Sequence, residues 1–209
     1  EPDGSGHHNG PCSLPTGAMI QHMDSLVGVL RKKIEALPFG KDINLIVTSD
    51  HGMTDISPER VVNINDYVKP EWCEVIDGRT PTSIFSKPEY RDSICNALKK
   101  AAHIRVWKKE EIPAELHYGS SDRIGDIVVA PELGWQFTDV ARDTKGAHGY
   151  FPQSPDMQVM FRAIGPDFKR GYISGGFVNV DIYPLLSHLL QIVPEKTDGR
   201  FERIKDILR

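Results

Sequence analysis

The chain has 209 residues, of which 39% are hydrophobic and 26% are charged, and its formal net charge is −4. Leu, Ile, Val and Phe are spread along the whole length, which excludes a disordered protein, and no run of about 18 apolar residues predicts a transmembrane helix. The slight acidic excess argues against a dedicated nucleic-acid-binding protein, because such a protein carries a basic stripe.

The first fifty residues predict a loop, a helix and a strand in that order. Residues 1–12 (EPDGSGHHNGPC) are rich in Gly, Pro and polar groups, and they predict an ordered loop. Apolar residues recur at helical spacing over 14–37, which predicts an amphipathic helix that Pro38 stops. Residues 44–48 (NLIVT) predict a short strand buried on both faces, followed by a polar turn that contains glycine.

The remainder of the chain alternates strands and helices less regularly. The patterns predict strands at 61–64, 82–85, 104–107, 126–130 and 158–164, and helices at 91–102 and 180–192. This rhythm is typical of an α/β fold. We expect residues 65–140 to form an inserted α+β subdomain between two parts of the parent domain, residues 1–64 and 141–209.

Three short segments concentrate residue types that bind metal ions, and each places Asp or His beside Gly at the end of a predicted element. Their sequences are DGSGHH at 3–8, SDHG at 49–52 and GAHGY at 146–150. Glycine lets the backbone turn sharply and aim neighbouring side chains at one point. Sites in open α/β sheets form at the carboxyl ends of strands. The candidate ligands are therefore Asp3, His7, Asp50, His51 and His148.

A mixed set of carboxylate and imidazole ligands suits Zn²⁺, although such a set can also hold Mn²⁺ or Fe. Five ligands are too many for one catalytic zinc, which takes about three protein ligands. They are one short of two three-ligand sites. Any one of these residues alone is more simply interpreted as a cap, a turn residue or a surface group. Their joint occurrence next to glycines favours a metal site.

The three segments together resemble a known family. The stretches EPDGSGHHNGP, LIVTSDHGM and GAHGYFPQSPDMQVMFRAIGPDFKRG are similar to the second half of the nucleotide pyrophosphatase/phosphodiesterase family, within the alkaline phosphatase superfamily. The resemblance extends nearly from end to end, and the motifs occur in family order. It implies part of an alkaline-phosphatase-like α/β sheet sandwiched by helices.

The resemblance also assigns the ligands to two zinc ions. The EPD-x-x-GH motif of the family falls on Asp3 and His7, its SDHGM motif on Asp50 and His51, and its HGY motif on His148. By this resemblance, the first two residues and His148 hold one zinc, and the SDHGM pair belongs to the other.

The function implied by the resemblance is a two-zinc hydrolase that cleaves phosphodiester or pyrophosphate bonds of small nucleotide-type substrates through a covalent threonine intermediate. The family's threonine nucleophile, a further aspartate ligand and an asparagine precede the EPD motif. No residue of this chain is therefore assigned as nucleophile or as substrate-binding. We expect a C-terminal part of the catalytic domain, whose partner is the N-terminal part of the same domain, in an extracytoplasmic location.

Two alternatives remain open at the level of the sequence. The first is a different reaction in the same superfamily, that of a phosphomonoesterase or a phosphosugar mutase. The second is a truncated, non-catalytic fragment that binds metal, which the missing nucleophile motivates.

Overall fold

A computed structural model describes residues 2–137 and 144–209. Its helices are α1 (Pro2–Asn9), α2 (Leu14–Glu35), α3 (Arg91–Leu98) and α4 (Ile182–Leu189). Its strands are β1 (Leu45–Thr48), β2 (Thr54–Asp55), β3 (Val61–Val62), β4 (Cys73–Gly78), β5 (Thr82–Ser86), β6 (Ile104–Lys108), β7 (Ile127–Pro131), β8 (Gln136–Phe137), β9 (Gly146–Ala147) and β10 (Phe161–Ile164). The predicted α/β class is confirmed. Among the described residues, no helix combines the length and the apolarity that a membrane crossing requires.

The N-terminal segment was predicted as a loop, and this prediction is wrong: residues 2–9 form α1. Pro2 occupies the first turn, where its missing N–H costs nothing and its fixed φ suits a helix. Asp3 in the same turn interacts favourably with the helix dipole. Gly10 ends the helix with a φ of +91°, a conformation that favours glycine. Because α1 is helical, Asp3 and His7 are four residues apart on one face.

The chain divides into two compact units, and the first comprises Glu1–Ser25 and Asp50–Val159. Its largest sheet has four antiparallel strands in the order β4-β5-β7-β6. Helix α3 contributes Ile94 and Leu98, one turn apart, to a core that also contains Ile84, Ile127 and Val129. The helix predicted at 91–102 ends earlier, at Leu98.

The predicted insertion, residues 65–140, lies within the first unit as far as residue 137, and its last three residues are outside the described ranges. Glu1 and residues 141–143 of the parent domain are outside them as well. The boundaries of the insertion remain a prediction.

Two short strand pairs of the first unit connect segments that are far apart in the sequence. Strand β2 pairs antiparallel with β9, with Thr54 opposite Ala147 and Asp55 opposite Gly146. Strand β3 pairs parallel with β8. The β2–β9 pair brings the SDHG and GAHGY segments side by side, because one segment immediately precedes β2 and the other contains β9.

The second unit comprises Leu26–Ser49 and Met160–Arg209. Strand β1 pairs antiparallel with β10, and the core contains Phe168, Leu185, Ile204 and Ile207. The prediction that β1 is buried on both faces is wrong for this chain: three of its residues are half-buried and Thr48 is exposed. Among the described residues, β1 pairs with one strand, β10, so that one of its two edges has a neighbouring strand. The strand predicted at 158–164 and the helix predicted at 180–192 are present but shorter.

Candidate metal centre

Helix α1 positions two of the predicted ligands. The Nε2 atom of His7 lies 3.5 Å from Oδ1 of Asp3, and Nδ1 of His7 lies 2.7 Å from the carbonyl oxygen of Gly146. A carbonyl oxygen can only accept a hydrogen bond, so Nδ1 carries the proton and donates it. Metal-binding histidines usually show this arrangement, in which the second ring nitrogen is oriented by a carbonyl or carboxylate group. The lone pair of neutral His7 therefore lies on Nε2, beside the carboxylate.

His148 completes a cluster with these two residues. It directly follows β9, and its Nε2 atom lies 3.7 Å from Oδ1 of Asp3. One ligand atom from each of Asp3, His7 and His148 can be chosen so that all three lie within 4.8 Å of one another. Two ligand atoms at about 2.0–2.1 Å from a tetrahedral zinc are roughly 3.4 Å apart. The distances from Asp3 to both imidazoles fit such an ion.

Asp50 and His51 lie beside this cluster. Oδ2 of Asp50 is 3.7 Å from Nε2 of His51, which is again close to the separation expected of two zinc ligands. Nδ1 of His51 donates to the carbonyl oxygen of Gly52 at 2.9 Å, so this imidazole also presents Nε2. A backbone hydrogen bond anchors the turn that carries the pair: the N–H of Met53, the residue after Gly52, donates to the carbonyl oxygen of Asp156 at 3.0 Å.

Direct contacts connect the two groups of ligands. Nε2 of His51 is 3.8 Å from Oδ1 of Asp3, and the rings of His51 and His148 stack with their centroids 3.5 Å apart and 8° between their planes. The structure therefore brings all five sequence-predicted residues together within the first unit. Their roles as metal ligands remain a prediction, as does the assignment of Asp50 and His51 to a second ion.

The environment of His148 favours its neutral form. Burial lowers its pKa below the usual value, and the neighbouring His51 and His7 lower it further, while the carboxylates of Asp3 and Asp50 act in the opposite direction. Only the neutral imidazole has a lone pair that a metal ion can bind. The lowered pKa therefore favours metal binding near neutral pH.

Histidines away from the cluster have other contacts or are exposed. His103 lies 3.0 Å from a carboxylate oxygen of Glu132 and stacks on Trp135 with the centroids 3.7 Å apart. His188 stacks on Phe201. His22 is exposed on α2.

The sequence interpretation missed the turn at 78–82, which lines a cleft next to the cluster together with His7 and His148. The available signal was the segment DGRTP at 77–81, whose Asp-Gly step is typical of a hairpin turn. The turn also carries Arg79, which lines the same cleft.

The fold and the site together define a mixed α/β protein that gathers carboxylate and imidazole side chains into a candidate binding site for divalent metal ions. The family model of type I phosphodiesterase/nucleotide pyrophosphatase matches residues 1–151. The chain belongs to this family, as the motif resemblance implied.

Curated relatives match the whole chain. It is 34% identical over 211 residues to human ectonucleotide pyrophosphatase/phosphodiesterase family member 5, of which it covers 44%. It is 35% identical to the bis(5′-adenosyl)-triphosphatase of Bos taurus, of which it covers 46%. The chain thus spans about half the length of the curated relatives that it matches.

Solved structures show the same fold. The structure of human ectonucleotide pyrophosphatase/phosphodiesterase 5 superposes with a TM-score of 0.92 at 33% identity, covering all of this chain and 56% of that chain. The murine protein, in an inactive variant with threonine replaced by alanine and in complex with AMP, superposes with a TM-score of 0.93 at 35% identity. That match covers all of this chain and 57% of the murine chain.

Proposed function

We propose that the protein that contains this chain is a metal-dependent hydrolase that cleaves phosphodiester or pyrophosphate bonds in nucleotide-type substrates. It uses two Zn²⁺ ions and a covalent threonine intermediate, with the threonine supplied by residues outside these 209. The observation that carries the proposal is the cluster of Asp3, His7 and His148, whose ligand atoms lie within 4.8 Å of one another. The membership of the family supports the reaction class.

The residues of this chain fit two ions. Asp3, His7 and His148 would hold one, and Asp50 and His51 would contribute to the other. Bound divalent ions supply positive charge that stabilises the negative charge developing on phosphoryl oxygens during displacement. Two carboxylates and two Zn²⁺ ions give this part of the site a net charge of about +2, which attracts an anionic phosphodiester.

Backbone carbonyl groups orient the imidazole side chains before substrate binds. The carbonyl groups of Gly146 and Gly52 hold the imidazoles of His7 and His51 with Nε2 directed towards carboxylates. This orientation lowers the cost of assembling the site, because the ring conformations are set by hydrogen bonds within the fold.

The substrate class and the location are inferred from relatives. One relative is named a bis(5′-adenosyl)-triphosphatase, and one structural neighbour contains AMP, which supports a nucleotide-type substrate. The inactive threonine-to-alanine variant of that neighbour supports a threonine nucleophile. The relatives are named ectonucleotide enzymes, which supports an extracytoplasmic location.

The test uses the full-length protein. We expect about two zinc ions per molecule by elemental analysis, and hydrolysis of bis-p-nitrophenyl phosphate faster than of p-nitrophenyl phosphate. Asp50→Ala and His148→Ala should each abolish hydrolysis and reduce the bound zinc, while His22→Ala, which changes an exposed histidine away from the cluster, should do neither. Full activity in either ligand variant would contradict the proposal, and a clear preference for the monoester would replace the diesterase with a phosphomonoesterase.

A further inference from the structure

One residue, Asp156, holds the segment that directly follows the second pair of predicted ligands. The N–H of Met53 donates to the carbonyl oxygen of Asp156 at 3.0 Å, and the hydroxyl of Thr54 donates to Oδ2 of its carboxylate at 2.5 Å. Thr54 is buried, with 5% of its surface exposed, whereas Asp156 is exposed. Two consecutive residues are therefore bonded to the same partner, one to its main chain and the other to its side chain.

Gly52 connects this contact to the ligands themselves. A Cβ atom on Gly52 would lie 1.9 Å from the carbonyl oxygen of Asp156, so the two backbones touch at a distance that only glycine allows. The carbonyl oxygen of Gly52 accepts the hydrogen bond from Nδ1 of His51 at 2.9 Å. A displacement of Asp156 thus reaches the group that orients the imidazole of His51 through a single residue.

Asp156 itself has a fixed position in the first unit. It lies in a single turn of 3₁₀-helix, Pro155–Met157, and Met157 shares a small buried core with Tyr150. Tyr150 is the last residue of the HGY motif that begins with His148. The core therefore connects Asp156 to the segment that carries a ligand of the other proposed ion.

Thr54 is the point at which two connections between the ligand segments meet. Its backbone lies opposite Ala147 in the β2–β9 pair, next to His148, and its side chain binds Asp156. Each strand of this pair has two residues, so backbone hydrogen bonds alone fix the segment weakly. A hydrogen bond to a carboxylate is roughly twice as strong as one between neutral groups, and loss of the acceptor would leave a buried hydroxyl unsatisfied.

We propose that the hydrogen bond between Thr54 and Asp156 positions Asp50 and His51 for the second metal ion, which makes Asp156 a positioning residue of the metal centre. This inference rests on the proposed two-metal function. Asp156 acts on the ligand pair through the backbone of residues 52–54. The other ion has two of its three proposed ligands on α1, so the loss of this bond should affect the two ions unequally.

The test is calorimetric titration of the chelator-treated full-length protein with Zn²⁺, in which the wild type should bind two ions. Thr54→Val keeps the volume of the side chain and removes the donor, and Asp156→Ala removes the acceptor at an exposed position. Each should weaken one of the two binding events at least about 10-fold and change the other less than about 3-fold, as expected when a metal ligand loses a group that orients it.

Conservative variants separate positioning from a general loss of packing. Thr54→Ser keeps the hydroxyl and should retain both affinities within about 3-fold. Asp156→Asn keeps an acceptor oxygen without the charge and should give a smaller loss than Asp156→Ala. The double variant Thr54→Val/Asp156→Ala should weaken binding no more than Asp156→Ala alone, because both changes remove the same bond.

The matched control is Asp167→Ala. Asp167 is likewise exposed and accepts a side-chain hydrogen bond at 2.5 Å, in this case from Asn44 in the second unit, so its removal should leave both binding events unchanged. Equal weakening of the two binding events by Asp156→Ala, or no weakening of either, would overturn the positioning role. A loss in Thr54→Ser as large as that in Thr54→Val would overturn it as well. A wild-type protein that binds fewer than two ions would instead refute the two-metal function on which this role depends.

Discussion

Gly146 lies at a close contact between β9 and α1, and a methyl group at this position provides a direct test of how the metal centre is assembled. A Cβ atom on Gly146 would lie 2.3 Å from the carbonyl oxygen of Gly6 and 3.2 Å from Cγ of Met53. Real Cβ contacts are essentially never shorter than 3.0 Å, so Gly146→Ala must separate the two backbones by about 0.7 Å (3.0 less 2.3) or distort them.

The expected consequences follow from this displacement. Overpacking of this kind costs about 1–3 kcal/mol of stability. The shift also moves His7, held by the Gly146 carbonyl, relative to His148, whereas metal ligands must lie within about 0.2 Å of ideal distances. We expect Gly146→Ala to lower the affinity for zinc at least about 10-fold and to lower the melting temperature of the chelator-treated protein.

The assay is competition for zinc between the full-length protein and a chromophoric chelator, combined with thermal unfolding. Gly17→Ala is the matched control, because a Cβ atom at Gly17 on α2 meets no atom within 4 Å and alanine is a better helix former by about 0.5–1 kcal/mol. It should preserve zinc affinity and should leave stability unchanged or raise it by up to about 1 kcal/mol. Zinc affinity of Gly146→Ala equal to that of the wild type would refute the close approach of α1 and β9 as the basis of the site.

Two further predictions concern stability. The hydroxyl of buried Tyr150 donates to the carbonyl oxygen of Trp135 at 2.8 Å, and burial raises the pKa of this tyrosine to about 12. The unfolded chain therefore loses the phenolic proton at lower pH than the folded protein does. The stabilisation of the folded protein by Tyr150 should consequently be lost as pH rises from about 10 towards 12. Tyr150→Phe should lower the free energy of unfolding by about 1 kcal/mol at pH 7 and should remove the loss of stability at alkaline pH. Chemical denaturation at several pH values measures both effects. The same alkaline loss of stability in the variant would contradict this assignment. Asp181 is fully buried and accepts a hydrogen bond from the N–H of Arg200 at 2.7 Å, so Asp181→Ala should destabilise the protein by about 1–3 kcal/mol because it removes a charge-assisted hydrogen bond made by a buried carboxylate. The exposed Asp206→Ala is its control, and equal melting temperatures of the two variants would refute the role of Asp181.

The motif residues were predictable from sequence because their signal is local. Each of Asp3, His7, Asp50, His51 and His148 is next to or near glycine at the end of an element, and the residue types themselves indicate metal chemistry. The structure places all five together. Residue types and their spacing along the chain can be read from the sequence without knowledge of the fold.

Helix α1 was not predictable by counting glycines and prolines. Pro2 is harmless at the first turn, and Gly6 suits close packing of the helix, because a Cβ atom added there would lie 3.2 Å from the side chain of Met53. Helix propensity is a weak signal that tertiary packing overrides. The burial of β1 was overestimated for a similar reason, because an apolar run shows that a strand can be buried and does not show which neighbours cover it.

The sequence by itself determined the chemical identity of the site: which side chains are available, how they are spaced and which family they resemble. Only the tertiary structure decided that Asp3, His51 and His148, up to 145 positions apart, meet at one point, because the β2–β9 pairing and the contact of α1 with β9 bring them together. It also decided that Arg79 faces a cleft beside them. The physical reason is that side-chain chemistry is a property of single residues, whereas distance between remote residues is set by backbone pairing and packing, to which the whole unit contributes.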